Sequence, residues 1–98
     1  MSYLPGSTQA KIVEVTTAIQ ELLLEKNKRY GDAAINPTNT FSKLSGNASI
    51  KIRLDDKINR VKASEEIRVN DVCDIIGYCT LLLISMGVSK EDILKLID

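Results

Sequence analysis

The segment from about Ile67 to Met86 constrains this chain more than any other. Wound as a helix, it places Val69, Val72, Ile75, Ile76, Cys79, Leu81, Leu82, Leu83 and Ile84 all round its axis. A helix apolar on every side belongs in the centre of a fold, with other helices covering both its sides. The rest of the chain offers limited cover. It has 98 residues, and a domain of that size buries only roughly two-thirds of its extended surface. A second copy of the chain is therefore expected to supply the missing wall, as a homodimer or a larger ring.

The other elements read as shorter partners for that helix. From about Thr8 to Arg29, Ile12, Val15, Ile19, Leu22 and Lys26 recur at spacings of three and four, which predicts an amphipathic first helix ended by Gly31 in a left-handed cap. Residues 32–48 are rich in Asn, Pro, Thr, Ser and Gly, with Ile35, Phe41 and Leu44 as anchors, and read as a long ordered loop. Ser49 is the expected cap of a second helix, Ile50 to about Ala63, whose inward stripe is Ile50, Leu54, Ile58 and Val61. Ser64 to Glu66 connects it to the third. Gly87 ends the third helix, and Ser89 followed by Asp92 resembles a capping box opening a short last helix. The expected fold is all-α, a single domain over residues 1–98 with a flexible tail at residues 1–7, three main helices and a short C-terminal one, completed by oligomerisation.

Composition removes several classes of function. Lys plus Arg and Asp plus Glu each total 13, so no net field draws the chain onto duplex nucleic acid or an anionic membrane. Histidine is absent, which excludes His-ligated zinc, Ser-His-Asp triads and Cys-His pairs. Any metal would be a hard ion held by oxygen. Cys73 and Cys79 lie six apart on one predicted helix, their side chains diverging, and read as small core hydrophobes in a reducing compartment. Met1 to Gln9 is polar and the longest apolar run is Leu81 to Ile84, so neither a secretory leader nor a membrane span is expected, and the predicted location is cytoplasmic.

Polar residues inside the third helix give the sharpest functional signal. Asp71, Asp74 and Tyr78 are spaced i, i+3 and i+7, which aligns them on one stripe of an apolar helix. Carboxylates in such surroundings need a metal ion, cationic side chains or a ligand. Pairing with a lysine or arginine across a helix interface is the plain explanation; a shared Mg²⁺ is the functional one. On the second helix, Arg53, Asp56 and Arg60 gather on one flank and Asp55 and Asn59 on the other. Asp56 and Arg60 read as site residues, with guanidinium groups suited to phosphate oxygens, whereas Lys57 and Lys62 read as solvated. Lys28 and Arg29 close the first helix where its dipole favours cations; beside Tyr30 they also offer a platform for phosphate and base.

Three motifs in order carry a family resemblance. Lys26-Asn27-x-x-Tyr30-Gly31-Asp32, then Ile52-Arg53-Leu54-Asp55-Asp56-Lys57-Ile58-Asn59-Arg60, then Asp71-x-x-Asp74-Ile75-Ile76-x-Tyr78 resemble the small phage proteins called nucleotide-modification-associated. These are similar in turn to the MazG-like all-α nucleotide pyrophosphohydrolases. The resemblance spans roughly residues 20 to 87. It implies a MazG-like helical bundle, a phage setting in a host cytoplasm, and nucleotide ligands. MazG-like enzymes hold Mg²⁺ with a Glu-x-x-Glu pair on one helix and a Glu-x-x-Asp pair on the next. Asp71 and Asp74 match the second pair in spacing, while the first is replaced by Asp55 or Asp56 with Asn59 and Arg60, which leaves fewer anionic ligands for divalent ions.

Two functions are expected on these grounds. The first is a phage-type protein that binds and sequesters a phosphorylated nucleotide, host immune signals included, at a subunit interface through Lys28, Arg29, Tyr30, Arg53, Asp56, Arg60 and Tyr78, without a cofactor. The second is an Mg²⁺-dependent nucleoside triphosphate pyrophosphohydrolase with Asp71, Asp74 and Asp55 as ligands. A third, plainer reading is a helical assembly protein whose polar stripe only fixes a subunit interface.

Overall fold

A computed structural model describes residues 3–31 and 46–98 of the chain. Four helices follow one another: α1 (Thr8–Tyr30), α2 (Gly46–Ala63), α3 (Val69–Ser85) and α4 (Lys90–Leu94). No strand occurs among the described residues, so the all-α class, with three long helices and a short C-terminal one, holds. No helix among them is long and apolar enough to cross a membrane. The chain divides into two compact units, Met1–Gly31 and Asp32–Asp98.

In the first unit, Leu4 to Ser7 forms a turn, with the Ser7 N–H donating to the Leu4 carbonyl at 3.0 Å. Ser7 then caps α1, its hydroxyl oxygen accepting from the Ala10 N–H at 3.1 Å. At the far end Gly31 adopts φ +64°, which a side chain would strain. Its ψ of −152° lies outside the left-handed helical region that a simple cap would use. Two hydrogen bonds hold this exit: the Gly31 N–H donates to the Asn27 carbonyl at 2.7 Å, and the Asn27 side-chain amide donates to the Gly31 carbonyl at 3.1 Å. No residue of α1 is buried, and the predicted stripe members Ile12, Val15 and Leu22 are exposed.

The second unit is built on an α2–α3 hairpin. α2 begins four residues before the expected Ile50, so Ser49 lies inside the helix rather than capping it. The extra turn has a tertiary anchor that the sequence does not display: the Asn47 amide donates to Ser85 Oγ at 3.3 Å, joining the start of α2 to the end of α3. The loop expected at residues 32–48 lies outside the described residues as far as residue 45. Ser64–Arg68 turns the chain, and the Ser64 hydroxyl donates to the Arg60 carbonyl at 2.6 Å.

On α2 Ile50 is buried and Asn47, Ala48, Ser49, Leu54, Lys57 and Val61 are half-buried, with Ser64 half-buried just beyond its end. Within this set Asn47, Ile50, Leu54, Lys57, Val61 and Ser64 alternate at three and four residues, the spacing of a packed helical seam. Ile50 is the one fully buried large side chain among the described residues. The predicted stripe was right at Ile50, Leu54 and Val61 and wrong at Ile58, which is 45% exposed. Lys57 takes its place. On α3 Asp71 and Gly77 are buried, and Cys73, Asp74, Ile75, Tyr78, Thr80, Leu81 and Leu82 are half-buried.

α3 is covered less completely than its composition suggests. Val69, Val72, Ile76, Cys79, Leu83 and Met86 also recur at spacings of three and four, and every one of them is exposed. This second face lies roughly a third of a turn round from the first. Cys79 is accordingly an exposed free thiol rather than a core residue, and Cys73 is half-buried and free. α3 ends in a Schellman motif: Gly87 at φ +70° donates to the Ile84 carbonyl at 3.0 Å, and the Val88 N–H reaches back to the Leu83 carbonyl at 3.3 Å. Ser89 and Asp92 then form the expected capping box, each side chain bonding the other's backbone N–H at 3.0 and 3.1 Å.

Candidate functional site

The polar centre of the hairpin is a triad assembled from two helices. Lys57 Nζ lies 2.9 Å from Asp74 Oδ2 and 3.9 Å from Asp71 Oδ1. The three side chains retain 15%, 13% and 3% of their surface for lysine, Asp74 and Asp71 respectively. One turn of α3 separates the two carboxylates, so a single ammonium on the facing helix reaches both. Asn70 adds a long contact, its amide 3.5 Å from Asp74 Oδ2. Asp71 sits in the first turn of α3, where the unpaired N–H groups and the helix dipole favour an anion. Lys57 therefore belongs to the site, against the solvated role expected of it. The four-carbon stem lies along the seam while the ammonium is held by carboxylates, which makes a lysine tolerable there.

Tyr78 lies on the same α3 stripe and is half-buried, so the sequence-derived trio of Asp71, Asp74 and Tyr78 does face one way. The cations expected beside it stand elsewhere. Arg53 and Arg60 are exposed and lie one turn to either side of Lys57 along α2, on the rim of the seam. Arg60 pairs with Asp56 at 3.4 Å on that rim, both more than half exposed, an i, i+4 pair of small energetic weight. Asp55 is exposed and two residues from Lys57, which points it to a different side of the helix.

In the first unit, Arg29 is engaged by Glu25 through a 3.0 Å bond at i, i+4, with both side chains exposed. Lys28 and Tyr30 are exposed as well. Asn27 and Gly31 of the first motif have a structural use that the sequence reading did not assign, since together they clasp the end of α1.

The donor set does not suit Mg²⁺. A hard divalent ion needs several oxygen ligands at about 2.1 Å, yet the gap between Asp71 and Asp74 is occupied by an ammonium, and Asp55 faces away. No group of three or more metal-ligating side chains exists among the described residues. An ion would have to displace Lys57, which would then be left in the seam without its counter-charges. No protein-family profile, curated protein or solved structure matches the chain.

Proposed function

We propose that this protein binds and sequesters a phosphorylated nucleotide at an interface between copies of the chain. One observation carries the reading: two carboxylates and one ammonium, with Tyr78 on the same stripe, are set into the seam between α2 and α3. The formal charge of that triad is one unit negative, so a ligand that donates hydrogen bonds, such as a nucleobase edge or a ribose hydroxyl, complements it. Tyr78 offers a ring for the base. Arg53 and Arg60, on the rim one turn away in either direction, suit the phosphates in bidentate fashion. The exposed apolar face of α3 is where a second copy would dock. The three motifs that resemble nucleotide-modification-associated phage proteins favour the same ligand class, host immune signalling nucleotides among them.

The test is isothermal titration of the purified protein with a panel of mono-, di-, tri- and cyclic nucleotides, together with mass spectrometry of small molecules released on denaturation. Saturable binding of an unaltered ligand is expected, weakened at least tenfold by Arg53→Ala with Arg60→Ala at unchanged helix content. Absence of heat across the panel, with nothing released, would end the proposal. The hydrolase reading finds no support in a carboxylate pair already engaged by lysine.

The same Lys57 pairing favours a second reading, in which the protein is an assembly module and the triad only aligns its helices. Under that reading the oligomer persists, the nucleotide panel is silent, and Asp71→Asn dissociates the assembly.

A further inference from the structure

α1 carries a second kind of information, written in which charges flank its apolar stripe. Thr8, Ile12, Val15, Ile19, Leu22 and Lys26 alternate at four and three residues, the repeat of a two-helix coiled coil. Ile12, Val15 and Leu22 on this stripe are exposed, and no residue of α1 is buried. Beside the stripe, the positions that precede Ile12, Ile19 and Lys26 are Lys11, Ala18 and Glu25; those that follow Val15, Leu22 and Arg29 are Thr16, Leu23 and Tyr30. Only the first flank is charged, and it is positive at one end and negative at the other. Lys11 has no ion-pair partner among the described residues, and Glu25 bonds Arg29 through one oxygen only.

We infer that α1 pairs with α1 of a second copy in antiparallel orientation. Turned end for end about Thr17, the two stripes place Ile12 against Leu22 of the partner subunit and Val15 against the partner's Ile19, each twice by symmetry. Lys11 then meets the partner's Glu25, also twice. Lys26 falls opposite the partner's Thr8, an uncharged residue at the end of the stripe. A parallel pair has none of these merits. It stacks Lys26 on the partner's Lys26 and Arg29 on the partner's Arg29, and it sets Lys11 beside an uncharged threonine. Charge complementarity thus selects both the occupant of this face and its direction. The pairing is independent of any ligand, so it stands whether or not the nucleotide proposal does.

The test is sedimentation equilibrium of the full chain between 1 and 100 µM in low salt, for the native protein, Lys11→Glu, Glu25→Lys and an equimolar mixture of the two variants. The native protein is expected to dimerise in this range. Each variant alone turns two attractions into two repulsions and weakens the dimer about tenfold, which corresponds to about 1.4 kcal/mol. Mixed, the variants restore both opposite-charge pairs and recover native affinity. Positions 11 and 25 are about 21 Å apart along one helix, so recovery requires two chains. A native protein that stays monomeric, variants that dimerise as well as the native chain, or a mixture no tighter than its components would each overturn the inference. The second of these results would assign dimerisation to the exposed face of α3, and helical circular dichroism of each variant guards against loss of fold.

Discussion

Removing the Lys57 charge while keeping its stem, as Lys57→Met, is expected to destabilise the protein by about 3 to 5 kcal/mol. The distances set the scale. At an effective dielectric of about 20, an ion pair at 2.9 Å is worth about 6 kcal/mol of gross Coulomb attraction, and one at 3.9 Å about 4 kcal/mol. Desolvation of three side chains, none more than 15% exposed, offsets much of that in the native protein. The substitution removes the attraction and leaves both carboxylates enclosed, so the asymmetry between making and breaking a buried pair decides the outcome. A loss of that size is a large share of the 5 to 15 kcal/mol typical of a domain, and it falls on a unit in which Ile50 is the one fully buried large side chain among the described residues. Urea denaturation followed by circular dichroism, at fixed protein concentration, measures it as a midpoint lowered by about 2 to 3 M. The companion variant Lys57→Met/Asp71→Leu/Asp74→Leu removes all three charges and should return to within about 1 kcal/mol of the native protein. If Lys57→Met costs less than about 0.5 kcal/mol, or if the triple variant is no better than the single one, the triad is not a buried charge network and the reasoning fails.

Ile50→Ala should cost about 2 to 4 kcal/mol, because the removed atoms lie in the closed part of the hairpin and the two polar anchors limit collapse around the cavity; an effect below about 1 kcal/mol in the same denaturation assay would show that the seam is not packed there. The C-terminal capping box should be sensitive to acid. The Ser89 backbone N–H, and then its hydroxyl, bond the Asp92 carboxylate and hold its pKa below the usual value of 3.8. The folded form therefore keeps the charge to lower pH than the unfolded chain does. That contribution is complete above 3.8 and disappears as the pH falls below it. The Ser89 and Asp92 amide resonances should shift together on acidification into that range, and Asp92→Asn should abolish the transition.

Much of the hairpin was legible because its signals are periodic. Asp71, Asp74 and Tyr78 announce a shared face by spacing alone, and Ser89, Asp92 and Gly87 announce caps through chemistry that acts within a few residues. Lys57 was not legible by the same route. Two stripes fit α2, one through Ile58 and one through Lys57, and hydropathy prefers the isoleucine. The decision is made across the seam, where two carboxylates one turn apart need a counter-charge and Lys57 is the cation at the right level. The unexplained demand of Asp71 and Asp74 was itself the available clue. The early start of α2 was hidden for a similar reason, since Gly46 and Asn47 are weak helix formers and the turn is anchored by the Asn47 bond to Ser85, thirty-eight residues away. The role of Asn27 and Gly31 in closing α1 shows the converse: a motif read for ligands can also serve the backbone.

The Lys57 triad and the Asn47–Ser85 bond stand 10 residues apart on α2 and 11 apart on α3, about 15 and 16 Å of helix. Between them the seam is Ile50 and Leu54 against Tyr78, Leu81 and Leu82, mostly aliphatic surface that would fit together at several offsets. A slip of one turn, about 5.4 Å, would leave most of that grease satisfied but would strand an ammonium and two carboxylates in it. These few polar atoms thus act as alignment pins. They penalise misthreaded hairpins that hydrophobic collapse alone would accept, and they give the folding chain a single way to close.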